Sequence, residues 1–99
     1  MAESRAHEAT AKRISHKYNT KYNKGKGADV RTNNIAIEVE TPQTVSEASR
    51  QLRGYKKPVY IAGTNQQAVN KALEATERTT IGVMDSKGNV MRRSTRKKC

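Results

Sequence analysis

Between residues 35 and 40 the side chains alternate: Ile35, Ile37 and Val39 fall on one side, Ala36, Glu38 and Glu40 on the other. A period of two belongs to an extended chain, so this is read as a half-buried strand with both glutamates on the face away from the apolar set. Just upstream, Ala28-Asp29-Val30-Arg31 is a shorter extended segment, and Asn33-Asn34 supplies the residue type that tolerates positive φ in a two-residue hairpin turn. That turn sets a register in which Thr32 pairs with Ile35, Arg31 with Ala36 and Val30 with Ile37. Asp29 then falls opposite Glu38.

The rest of the chain follows the same kind of reading. Residues 3 to 18 are predicted to be a weakly amphipathic helix with Ala6, Ala9 or Thr10, Ile14 and Tyr18 on its apolar side. His7 and His16, with no recognisable local partner, are read as solvent-facing. Residues 18–27 read either as a short first strand or as a mobile basic loop. After Pro42, Thr44-Val45-Ser46-Glu47 has the form of a capping box, opening a helix to about Tyr55 with Val45, Ala48, Leu52 and Tyr55 inward. Val59 to Ala62 is a buried strand closed by Gly63. A second capping-type start at residues 64–67 leads a helix to about Glu77, with Ala68, Ala72, Leu73 and Thr76 as its stripe. Residues 79–84 read as a strand with Ile81 and Val83 inward, 85–88 as a turn, and 89–91 as a returning edge strand. The predicted class is α/β, a small mixed β-sheet flanked by helices. Residues 1–91 form one domain, and 92–99 a basic, disordered tail in which five of the seven residues 92–98 are Lys or Arg.

Composition narrows the partner. A chain of 99 residues carries 20 Lys and Arg against 9 Asp and Glu, a formal net charge of +11. Such an excess points to a polyanion, nucleic acid before acidic lipid or protein. Lys21, Lys24, Lys26, Arg31, Lys56, Lys57, Arg92, Arg93, Arg96, Lys97 and Lys98 are the candidate phosphate contacts. The N-terminal residues lack an apolar signal region and no window approaches the ~18 apolar residues of a membrane span, so an intracellular, cytoplasmic setting with no membrane partner is expected. Cys99 is alone, forms no zinc pattern with the two histidines, and is given no role. There is no P-loop, no GxGxxG and no Ser/His/Asp arrangement.

Candidate chemistry returns to the hairpin. Directly opposed residues have β-carbons roughly 4.5–5.5 Å apart, and two acids there repel unless a cation lies between them. A hard divalent ion meets that need, since Mg²⁺ is held by one or two carboxylates with water and phosphate oxygens completing its shell. The alternative is two acids on a solvated sheet face.

The order Asp29, turn, Glu38-x-Glu40 at the end of an apolar strand, then helix and strand, resembles the PD-(D/E)XK nuclease superfamily. Within it the archaeal Holliday junction resolvases and restriction endonuclease-like proteins look nearest, over roughly residues 5 to 63. The resemblance implies a restriction endonuclease-like core (α-β-β-α-β), here followed by a helix and a C-terminal hairpin. It also implies a hydrolase: a metal-dependent endonuclease on branched or duplex DNA, DNA being favoured over RNA, working as a homodimer. By it, Asp29 and Glu38 hold Mg²⁺ or Mn²⁺, Glu40 stands where the catalytic Lys usually is, Glu8 matches an acid sent in from the first helix, and Gln51 with Tyr55 matches a polar pair on the later helix. The alternative function is a non-catalytic basic DNA- or RNA-binding protein on a nuclease-like fold, favoured by Glu40 in place of Lys. A third is a basic RNA-binding protein whose acids are only surface.

Overall fold

The computed structural model describes residues 5–25 and 27–98, so Lys26 and Cys99 lie outside it. Its elements are α1 (Arg5–Lys17), β1 (Val30–Arg31), β2 (Ala36–Glu40), α2 (Ala48–Leu52), β3 (Val59–Gly63), α3 (Gln66–Ala75), β4 (Gly82–Met84) and β5 (Val90–Arg92). The strands form one mixed sheet in chain order, β1-β2-β3-β4-β5. β2, β3 and β4 run parallel, with β1 and β5 antiparallel at the two ends. This is the expected α/β class.

The hairpin takes the register the turn residues set: Val30 pairs with Ile37 and Arg31 with Ala36. The Thr32 N–H donates to the Ile35 carbonyl, and Thr32 Oγ1 accepts from the N–H groups of both Asn34 and Ile35, so the threonine closes the turn. Among the described residues of 18–27, Tyr22 alone joins the sheet, through a single antiparallel bridge to Val30.

Period-two alternation sends the two sides of each strand into separate cores. Ile37, Val39, Val30, Tyr60, Ala62 and Met84 pack with Ala11 and Ile14 of α1. Ala36, Val59, Ile61 and Val83 pack with Ala48 and Leu52 of α2 and with Ala68, Val69 and Ala72 of α3. The sheet is therefore covered on both faces, which parallel strands require.

Helix phases and limits differ from expectation in three places. The buried side of α1 is Thr10, Ala11, Ile14 and Ser15, whereas Ala6 and Ala9 are exposed. Thr10, Ile14 and Tyr18 take the expected inward places, while in the first turn His7 stands where Ala6 was expected, with Ala11 and Ser15 added to the buried side. α1 closes with the two hydrogen bonds of a Schellman motif, Thr20 N–H to Ser15 O and Asn19 N–H to His16 O, with Asn19 in the left-handed region at φ 54°. At residues 44–47 no capping box forms. Thr44 Oγ1 is taken by the Thr41 N–H, so the chain makes a single 3-10 turn, Val45–Glu47, before a short α2. α3 begins at Asn65, whose side chain accepts from the Ala68 N–H.

The basic run 92–98 is not a free tail. Arg92 belongs to β5, and the buried Ser94 accepts the Val59 N–H on its Oγ while donating to the Thr80 carbonyl. Arg96 Nη1 donates to the Leu52 and Tyr55 carbonyls at the C-terminal end of α2. Those carbonyls have no partner within the helix, and the guanidinium satisfies them. Charge composition signals disorder only where a run has nothing to bond; here a sheet edge and a helix end are waiting.

Arg78, after α3, has φ 65°. A side chain there costs about 1 kcal/mol relative to glycine. Arg78→Gly is expected to raise Tm by about 4–8 °C, read by thermal unfolding monitored by circular dichroism.

Candidate active site

β2 was expected to expose its acids, but all five of its residues are buried. Glu38 is 6 % exposed, Glu40 7 % and Asp29 6 %. The cause is the neighbouring strand, because β3 flanks β2 along its whole length and the helices cover both faces. The reading of these carboxylates as a solvated acidic face is thereby overturned.

Asp29 lies one residue before β1, at the position opposite Glu38 in the Val30–Ile37 register. Its Oδ2 accepts from the Val39 N–H at 2.8 Å and meets His7 Nε2 at 3.1 Å. His7 Nδ1 lies 3.4 Å from the Tyr22 hydroxyl. With Nε2 protonated toward the carboxylate, Nδ1 accepts from the tyrosine, so a Tyr22–His7–Asp29 chain runs from the surface loop to the acids. The Asp29 and Glu38 carboxyls are close enough for each to act on the other's proton. The tyrosine of α2's far end completes the mounting: Tyr55 OH accepts from the Ala28 N–H at 2.9 Å. A Cβ on Gly27, which has φ 93°, would stand 2.8 Å from that hydroxyl, so glycine is what permits the contact.

Burial and crowding divide the protons unevenly. Burial pushes the Glu38 carboxyl up to about 10, reinforced by its hydrogen bond to Asp29 and by the charges of Asp29 and Glu40. Burial acts on Asp29 too, but the hydrogen bonds from His7, Glu38 and the Val39 N–H outweigh it and hold this carboxyl below its ordinary value. Glu40 is raised to about 7 by burial, partly offset by a hydrogen bond from Thr44 and reinforced by the Asp29 charge. At neutral pH an ionised Asp29 therefore sits beside a neutral Glu38. Among the described residues no Lys or Arg forms an ion pair with any of the three acids, although the chain holds 20 such bases.

The other expected site residues fall elsewhere. Glu8 does not reach the acids. It pairs with Lys12 at 3.0 Å one turn along α1 and with Lys24 at 3.8 Å, while its neighbour His7 takes the inward place. Gln51 is exposed on α2 and no hydrogen bond joins it to Asp29, Glu38 or Glu40, because the shortened α2 turns that side to solvent. Lys24 sits 5.9 Å over the Tyr22 ring, and Lys21, Lys56, Arg93, Lys97 and Lys98 are exposed. Arg92 and Arg96 are committed to Thr76 and to the α2 carbonyls. Lys26 lies outside the described residues. His7 was missed, and the signal that finds it is the i, i+4, i+7 relation to Ala11 and Ile14.

The donor chemistry fits a hard divalent cation in part. Asp29 and Glu38 are neighbouring oxygen donors, and the proton held on Glu38 lowers the charge of the pair as a cation would. No third His, Cys, Asp or Glu converges with them as a ligand set among the described residues, so phosphate and water would complete the shell. No described helix is long and apolar enough to cross a membrane. Compared with family models, curated proteins and solved structures, the chain matches none of them.

Proposed function

We propose that this protein is a metal-dependent endonuclease acting on DNA inside the cell, with Asp29, Glu38 and Glu40 as its centre. The observation that carries the reading is the burial of Asp29, Glu38 and Glu40 along one hairpin, with none of them in an ion pair with Lys or Arg among the described residues. Burying such groups is costly, and a cluster with pKa values pushed apart is the signature of a site rather than of a scaffold. The α-β-β-α-β order of the resemblance, with Asp29 opposite Glu38, supports the same reading.

Asp29 and Glu38 would hold Mg²⁺ or Mn²⁺, which when bound polarises a phosphate oxygen and acidifies a water. Asp29 is oriented for this by His7 and the Val39 N–H, leaving its other oxygen toward Glu38. Glu38 must give up its proton as the cation enters. Glu40, raised to about 7, is matched to accept a proton from water near neutral pH, the task of the base at a position where the superfamily usually carries Lys. Exposed bases supply affinity without reading sequence. A homodimer would bring two such centres to the two strands of one duplex.

The protein is expected to nick or cut linear, forked or four-way DNA in Mg²⁺ or Mn²⁺, to be silent in chelator, and to lose at least about a thousandfold in rate on Asp29→Asn. Gel assays on the three substrates read this out. Absence of cleavage on all three, with binding retained, selects the second reading of a non-cleaving DNA- or RNA-binding protein, which the glutamate at position 40 favours.

A further inference from the structure

At the turn end of the hairpin an open groove of about 490 Å³ is lined by Tyr18, Asn19, Thr20, Arg31, Thr32, Asn33 and Lys57. Two of its walls are cationic, none is acidic, and the remainder are hydroxyls, amides and one aromatic ring. Arg31 is exposed, and no hydrogen bond or ion pair joins its guanidinium to another described residue. Its Nη1 stands 3.2 Å from where a Cβ on Gly27 would be, beside Tyr55, and Lys57 Nζ lies 5.7 Å over the Tyr55 ring, so both cations gather around that tyrosine. Lys57 spends one of its protons on the Thr32 carbonyl at 2.7 Å, which fixes the amine at the groove wall with two donors left. On the other wall the left-handed Asn19 closes α1 with its backbone, and its amide lines the groove.

We infer that this groove receives one unpaired nucleotide of a nucleic-acid strand, its phosphate between Arg31 and Lys57 and its base against Tyr18, Asn19 and Asn33. Size argues for a single nucleotide. The volume falls in the ~300–1,000 Å³ range of small-molecule sites, too small for a duplex. Chemistry argues for a nucleotide over a bare anion, because a ring and two amides offer stacking and base-edge hydrogen bonds that an anion does not use. Position links it to the acids: Arg31 is opposite Ala36 and Asp29 opposite Glu38, a separation of two residues or about 7 Å along the strands. On the nuclease reading, which this inference uses only to place the scissile phosphate, the groove holds the neighbouring nucleotide, and the preferred substrate has an unpaired base next to the cut.

The test is binding by the full chain, in EDTA, to a labelled 12-nucleotide single strand and to a blunt 12-base-pair duplex, so that no cleavage is involved. Arg31→Ala with Lys57→Ala should weaken single-strand binding about tenfold or more and reduce the slope of log affinity against log salt by about 1.4, the value for two phosphate-neutralising charges. Duplex binding should fall by much less. Arg31→Ala alone removes no packing and should give about half the slope change, which covers the case in which loss of Lys57 loosens the turn; Arg31→Lys should recover it. Unchanged single-strand affinity and slope, or equal losses on strand and duplex, would overturn the groove. Intact groove binding with no cleavage in Mg²⁺ would instead count against the nuclease reading alone.

Discussion

Glu38→Gln is expected to melt higher than the parent chain at pH 8 in chelating buffer and, on the proposed nuclease reading, to lose cleavage. The stability half follows from where the proton sits. Glu38 is raised from its ordinary 4.5 to about 10, so between those values the folded chain holds a proton that the unfolded chain releases. The contribution is full below pH 4.5 and drains away as pH climbs toward 10, at about 1.4 kcal/mol per pH unit for a whole proton. Glu40, raised to about 7, adds a drain of the same sign from 4.5 to 7. Asp29 works in the opposite sense. Its lowered value gives stability above its ordinary 3.8 that is lost as pH falls through the folded value, setting the acid limb. A glutamine keeps a donor for Asp29 and carries no proton to lose. At that slope the variant should gain up to about 5 kcal/mol by pH 8, or about 20 °C or more in Tm. Thermal melts from pH 4 to 9 should show the two chains together near pH 4.5 and diverging above it. A variant that melts lower by a constant amount at every pH would mean that the shared proton is absent. Stability gained with function lost is the mark of groups kept for chemistry.

How far the sequence foretold this arrangement can be followed residue by residue. The register of Asp29 against Glu38 was legible because an Asn-Asn turn favours a two-residue hairpin and alternation opposes a one-residue slip, which would reverse the facing. The βαβ order was legible from the apolar run at Val59 to Ala62 and its flanking Pro58 and Gly63. The burial of Glu38 and Glu40 was not, since nothing local says that β3 will pair along all of β2 and that helices will cover both faces. A period of two reports which residues share a side and is silent on whether that side meets water. Thr10, Ile14 and Tyr18 were read correctly, but His7 was missed in the first turn, where alanines on either side leave the hydrophobic contrast slight. The capping-box pattern at Thr44 misled because its hydroxyl had a nearer client, the Thr41 N–H. At Ser94 and Arg96 the partners lie 14 to 44 residues away along the chain, beyond the reach of any local pattern.

The last of those misreadings carries the other large effect: a chain ending at Arg93 is expected to be unfolded or nearly so at 37 °C. Losing Ser94 strips the buried Val59 N–H of its acceptor and the Thr80 carbonyl of a donor, and losing Arg96 leaves the Tyr55 carbonyl without that donor and the Leu52 carbonyl with the 3.3 Å bond from the Tyr55 N–H. A buried polar group left unpaired costs about 1–3 kcal/mol, and the part-buried carbonyls recover some of theirs from water, so the total is about 3–6 kcal/mol. A domain of this size has only about 5–15 kcal/mol in hand. Ser94→Ala should reproduce about 1–3 kcal/mol of the loss by itself, read as a shift in urea midpoint at unchanged m. Charge is a separable matter. Arg93, Lys97 and Lys98 are exposed, so replacing all three by alanine should leave stability within about 0.5 kcal/mol at each site. The same triple replacement should reduce the salt slope of duplex binding by up to about 2.7 if each base neutralises one phosphate. Truncation and charge removal thus act on different quantities. A truncated chain melting with the full one would show that residues 94–98 carry no part of the fold, and their bonds to Thr80, Val59 and α2 would then have no energetic weight.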